Sequence, residues 1–113
     1  MNDDYPAFRK WYSVLNWILD RCDTYPKSVR FSFSGRIADL ALDILECLIE
    51  AIYSKDKKAR LLQINMNLEK LRMFYRLSHD RKYISSRQFE FIATELNEFG
   101  KMIGGWLKNA QGK

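Results

Sequence analysis

The chain has 113 residues, 47% of them apolar and 29% charged, which suits one globular domain over 1–113 with a modest core and excludes widespread disorder. Nineteen Lys and Arg against fourteen Asp and Glu leave a formal charge of +5, a balance compatible with a polyanionic partner without requiring one. No run approaches about 18 uncharged apolar residues, so a membrane-spanning helix is excluded and no membrane partner is expected.

A first helix is expected from Pro6 to about Thr24, since proline is tolerated at a first helical position and Asp3-Asp4 suit the positive end of the dipole. Phe8, Trp11, Tyr12, Leu15, Ile18, Leu19 and Cys22 recur at three- and four-residue steps on one face. Trp17 falls about opposite, near Lys10, Val14 and Arg21. Pointing away from the core, it reads as an oligomer-interface anchor or a base-stacking platform. The plainer readings are an incidental exposed aromatic or one covered by the amino-terminal tail. Pro26 disfavours a helical Tyr25 and closes the helix. The stretch Thr24 to Phe31 is then the longest connection, and it carries Lys27 and Arg30.

The second helix starts near Ser32 or Ser34, either of which could cap it, and runs to about Ser54. Ile37, Leu40, Ala41, Ile44, Leu48, Ala51 and Ile52 form its core stripe. Asp39, Asp43, Glu46 and Glu50 make an acidic ribbon on the other side, either a solvated face or a partner for basic side chains of a neighbouring subunit. The turn Ser54-Lys55-Asp56 is so short that the second and third helices should be antiparallel neighbours, with Asp56 capping the third.

The third helix, Asp56 to Asp80, has two apolar stripes. Leu61, Ile64, Leu68, Leu71 and Tyr75 fall on one. Leu62, Met66, Met73 and Leu77 fall nearly opposite, interrupted by Glu69 and Lys70. A lone bundle needs only the first. The second implies either a contact with another chain or a broad contact with both flanking helices. Arg72 and Arg76 run between the stripes, one turn apart. After a loop at Arg81-Lys82-Tyr83-Ile84, Ser85-x-x-Gln88 fits a capping box. A fourth helix follows from about Ser86 to Asn109. Its core face is Phe89, Ile92, Ala93, Leu96, Phe99, Gly100, Ile103 and Leu107, with Trp106 at the edge. Gly100 and Gly104, one turn apart, would permit close helix approach.

The pattern is all-α, an up-down-up-down four-helix bundle. Antiparallel order puts the first and third connections at one end. There Arg21, Lys27, Arg30, Arg36, Arg76, Arg81, Lys82 and Arg87 face only Asp20, Asp23 and Asp80, an excess of five positive charges. Such a concentration suits salt-sensitive phosphate binding without base readout, or the docking of an acidic protein. No catalytic residues are assigned. The acidic ribbon has no nearby histidine, no glycine-rich phosphate loop occurs, and pairing His79 with Cys22 or Cys47 is unmotivated. Two cysteines and one histidine give no zinc constellation, so no metal or cofactor is expected. The cysteines read as small core hydrophobes in a reducing compartment. With the acidic start Met1-Asn2-Asp3-Asp4 unlike a secretory leader, a cytoplasmic location is expected.

Four stretches carry a resemblance: Tyr25-Pro26-Lys27-Ser28-x-x-Phe31, Arg36-Ile37-x-Asp39-Leu40-Ala41, Glu69-Lys70-Leu71-Arg72-x-x-x-Arg76-Leu77 and Gly104-Gly105-Trp106-Leu107-Lys108. The chain resembles the accessory variability proteins of diversity-generating retroelements, four-helix-bundle proteins related to those encoded in ribosomal-RNA intervening sequences. The resemblance implies a positively charged, ring-shaped homopentamer without catalytic activity. It would bind RNA or DNA and the reverse transcriptase during mutagenic retrohoming. The matching residues suited to this are Lys27, Arg36, Lys70, Arg72 and Arg76; Arg30, Arg81, Lys82 and Arg87 come from the charge distribution alone. The alternative is an oligomeric protein-interaction module with no retroelement role.

Overall fold

A computed structural model describes residues 5–111, and all regular structure among them is helical. Its four α-helices are α1 Pro6–Cys22, α2 Gly35–Tyr53, α3 Lys58–Asp80 and α4 Ser86–Gln111. Each packs on the next, and α1 returns to pack on α4, in a body 46 Å long and 22 × 21 Å across. Asp3 and Asp4 lie outside the described residues.

The apolar periodicity of α3 sets the core. Leu61, Ile64, Leu68, Leu71 and Tyr75 are all buried. Facing them are Ile37, Ala41, Ile44, Leu48 and Ala51 of α2, and Ile92, Leu96, Phe99 and Ile103 of α4. Trp11 ties α1 to both of its neighbours. Its ring lies 4.6 Å from that of Phe99, and its indole N–H donates to the Ala41 carbonyl at 2.9 Å. A buried indole N–H left without an acceptor would be costly, so this one bond fixes the depth and rotation of α1.

That rotation differs from the expected one. Tyr12 is 57% exposed, whereas Ala7 and Val14 are buried. Trp17 does not point away from the core: it is half-buried, 5.1 Å from Phe91 and 6.4 Å from Tyr75. Because α1 sits between α2 and α4, its buried arc is wide, and a tryptophan ring reaches the α4 side from the arc's edge. Trp17 therefore serves the chain's own packing rather than standing free as an outward anchor.

The connections depart further from a simple reading. α1 ends at Cys22. Beyond Pro26 the backbone winds as a 3-10 turn, Lys27–Val29, and a π turn, Arg30–Ser34, directly into α2. Neither Ser32 nor Ser34 caps that helix, since Ser34 is itself in helical conformation. The wide turn requires Gly35, where a Cβ would stand 2.8 Å from the Arg30 carbonyl oxygen. Asp56 likewise does not cap α3, which begins at Lys58 without a side-chain cap. Instead the Lys57 ammonium closes the end of α2, donating to the carbonyls of Ala51 (2.7 Å), Ser54 (3.1 Å) and Ile52 (3.2 Å).

At the start of α4 the capping box forms as expected. The Ser85 N–H donates to Gln88 Oε1 at 2.9 Å and the Gln88 N–H to Ser85 Oγ at 3.1 Å. α3 ends in a Schellman motif, with the Tyr83 N–H donating to the Ser78 carbonyl (2.8 Å) and the Lys82 N–H to that of His79 (3.0 Å). The left-handed position usually held by glycine is Lys82, at φ 64°. Gly100 does allow close approach, because a Cβ there would meet the Arg72 guanidinium at 2.9 Å. Gly104 does not share that role; nothing lies within 4 Å of a Cβ built on it.

Candidate nucleic-acid interface

The basic end is assembled around Tyr25, which the sequence placed in a connection and the structure buries completely. Its hydroxyl donates to Ser78 Oγ on α3 at 2.8 Å, and Ser78 in turn donates to the Phe74 carbonyl at 2.8 Å. The Tyr25 ring lies 5.6 Å from Tyr83 and 6.1 Å from Phe33. Phe33 meets the edges of Phe74 and Tyr83 at 5.3 and 5.5 Å. This aromatic cluster locks the connection after α1 against the one after α3, and brings their cations to one end. Burial pushes the Tyr25 phenol up to about 12, against the opposing effect of the Ser78 hydrogen bond. Burial, helped by the Asp23 charge, also pushes the neighbouring Cys22 thiol up to about 11.

The nine candidate cations are not equivalent. Arg30 is turned back on its own turn, donating through Nε to the Tyr25 carbonyl (3.1 Å) and through Nη2 to that of Asp23 (2.8 Å). Arg81 donates to the Tyr83 hydroxyl at 2.9 Å, and its guanidinium lies 5.6 Å from the centre of that ring. These two brace the end. Lys27, Arg36, Arg76, Lys82 and Arg87 are exposed, and none of the five spends its side chain on an ion pair or hydrogen bond among the described residues. They are free to meet anions.

Arg72 and Arg76 line a groove between α3 and α4, together with Glu69, Phe89 and Asn97. Arg72 is ion-paired with Glu69. Lys70 does not join them. Two residues from Arg72, it lies about 160° away around the helix and is exposed. His79 is engaged by the Ser86 hydroxyl at 3.0 Å and stacks on Phe89 at 4.8 Å. Cys22 is buried and donates to the Ser34 carbonyl at 3.4 Å, so the two are occupied separately. Cys47 is a half-buried free thiol, and burial raises its pKa, with Glu50 adding to the effect.

The second stripe of α3 is uncovered. Leu62, Met66, Met73 and Leu77 are 46% to 60% exposed, so the flanking helices do not absorb it. At the basic end Met73 and Leu77 border a shallow depression with Phe74, Arg76 and Asp80.

The sequence profile of the bAvd-like family matches residues 7–110. The chain belongs to that family. No curated relative matches the sequence. In this bAvd-like chain the Tyr25-Pro26-Lys27-Ser28-x-x-Phe31 motif divides its work: Tyr25 is core, Lys27 is a free cation and Phe31 stands in solvent. Sequence reasoning passed over Tyr25, Ser78 and Phe31 as functional or organising residues. The one available signal was the pair of aromatics Tyr25 and Phe31 inside the supposed connection, with Phe33 just beyond it. The family supports an accessory variability role, and no described helix is long and apolar enough to cross a membrane.

Proposed function

We propose that this bAvd-like protein is a non-enzymatic accessory of a diversity-generating retroelement, binding nucleic acid and the reverse transcriptase as a ring-shaped homo-oligomer. The observation that carries the reading is the group of five unspent cations, Lys27, Arg36, Arg76, Lys82 and Arg87, contributed by two connections and their flanking helix ends. Cations held this way neutralise phosphates irrespective of sequence. Assembly would multiply the patch, and avidity with it. The bare second stripe of α3 supplies the surface for copies to meet; five copies is the number the family resemblance implies.

The experiment is a salt titration of affinity for a labelled single-stranded RNA and DNA. The logarithm of affinity should fall linearly with the logarithm of salt concentration. The Arg36→Gln/Arg76→Gln double variant, which removes two of the five free cations, should bind more weakly and flatten the slope by about 1.4, at roughly 0.7 per phosphate contact on a single strand. Affinity indifferent to salt rejects the reading. Retention by an immobilised reverse transcriptase encoded beside this gene tests the second partner.

One further reading has its own support. Asp39, Asp43 and Glu46 are exposed and unpaired among the described residues, while Glu50 meets only Arg60 at 3.6 Å. This ribbon could receive Arg76 of a neighbouring copy in a purely structural oligomer. In that case Arg76→Glu shifts the solution mass and leaves nucleic-acid affinity where it was.

A further inference from the structure

Phe31 is 98% exposed, the most exposed large apolar side chain among the described residues, and it stands on a turn built with some care. The π turn that carries it depends on Gly35. Arg30, the residue before it, is pinned to the carbonyls of Asp23 and Tyr25. Phe33, two residues on, is packed into the aromatic cluster. One side of the turn is thereby anchored, and the Phe31 ring is left bare on the other.

Its surroundings decide what could cover it. No acidic residue occurs between Thr24 and Ala38, while Lys27, Arg30 and Arg36 do. Lys82 comes from the adjacent connection, which Tyr83 holds against Tyr25 and Phe33. A flat apolar face on a turn whose flanking charges, Asp23 apart, are cationic matches a ligand that is itself flat, apolar and densely anionic. An apolar protein surface would gain nothing from the cations, and an acidic one nothing from the ring. A nucleobase with its flanking phosphates uses both.

Resting on the nucleic-acid reading of the basic end, we infer that Phe31 is a stacking platform for an unpaired base, which makes single strands the preferred ligand over duplex. In a duplex each base face is already covered by its neighbours and cannot reach an isolated ring. The anchored turn presents that ring without further ordering of the backbone, so little backbone freedom is lost on binding.

The test compares the parent, Phe31→Ala and Phe31→Trp by fluorescence anisotropy. The probes are a labelled mixed-sequence RNA of about 20 nucleotides and its duplex, in about 50 mM salt. Phe31→Ala should weaken single-strand binding by about tenfold or more and leave duplex binding within about twofold. Phe31→Trp should match or exceed the parent. Melting curves of all three should coincide, because the Phe31 side chain is solvent-exposed. Equal single-strand affinity of parent and Phe31→Ala overturns the platform alone, as does an equal loss on both probes. A changed solution mass for Phe31→Ala also overturns it, by making the ring a contact between copies. A parent that binds neither probe removes the nucleic-acid reading itself, and the platform with it.

Discussion

Replacing Tyr25 or Ser78 tests whether the two connections are truly fastened together. Tyr25→Phe removes one buried hydrogen bond of 2.8 Å. Ser78 keeps its own acceptor, the Phe74 carbonyl, so no donor is orphaned and the cost should be about 0.5–1.5 kcal/mol. Ser78→Ala is different, because it strands the Tyr25 hydroxyl in the core; about 1–3 kcal/mol is expected. The double variant restores consistency and should be no less stable than Ser78→Ala alone, a coupling of about 1 kcal/mol. Tyr25→Ala removes a ring packed between Phe33 and Tyr83 and should cost about 3–5 kcal/mol, a large share of the roughly 5–15 kcal/mol available to a domain. Urea unfolding at fixed protein concentration measures all four. Additive effects of Tyr25→Phe and Ser78→Ala, or a Tyr25→Ala cost below about 1 kcal/mol, would refute this reasoning.

Lys82→Gly relieves a left-handed backbone position at φ 64° and should stabilise the chain by about 0.5–1 kcal/mol after the added freedom of glycine in the unfolded state, read as a higher urea midpoint. Alkaline pH should act in the opposite direction. The folded state holds the Cys22 proton to about 11 and the Tyr25 proton to about 12, above their ordinary values of 9.0 and 10.0. Stability is therefore intact below about pH 9 and falls as pH rises, first between 9 and 11 through Cys22 and then between 10 and 12 through Tyr25. Cys22→Ala should reduce the earlier part of that fall in a series of urea midpoints against pH, and Cys22→Ala/Cys47→Ala should remove it, since burial raises the Cys47 thiol as well.

Helix-scale features were legible in the sequence because they depend on periodicity and local hydrogen bonding. The first stripe of α3 is buried residue for residue, and the Ser85–Gln88 box forms. The second stripe was visible as a surplus, but only the packing could show that α2 and α4 leave it bare. Tertiary context decided the rest. The face of α1 is set by where the Trp11 indole finds its acceptor on α2, which no spacing within α1 encodes. The stretch from Thr24 to Phe31 reads as a connection because Pro26 closes the helix before it, yet the partners of Tyr25 and Phe33 on α3 and beyond wind it into helix. Counting charges grouped cations from two connections that do pack against each other. It could not tell bracing arginines such as Arg30 from free ones such as Arg36, since both are surface cations until their carbonyl partners are seen.

Light scattering on the parent and on Met66→Glu/Met73→Glu is the most direct test of whether the bare stripe of α3 assembles the protein. The parent should have the mass of several 13.5 kDa chains, five by the family resemblance. The variant should fall to a single 13.5 kDa chain with its helicity unchanged and its RNA affinity reduced as the pooled cationic ends separate. A parent that remains one folded chain at high concentration, or a variant that keeps the parent's mass, contradicts it.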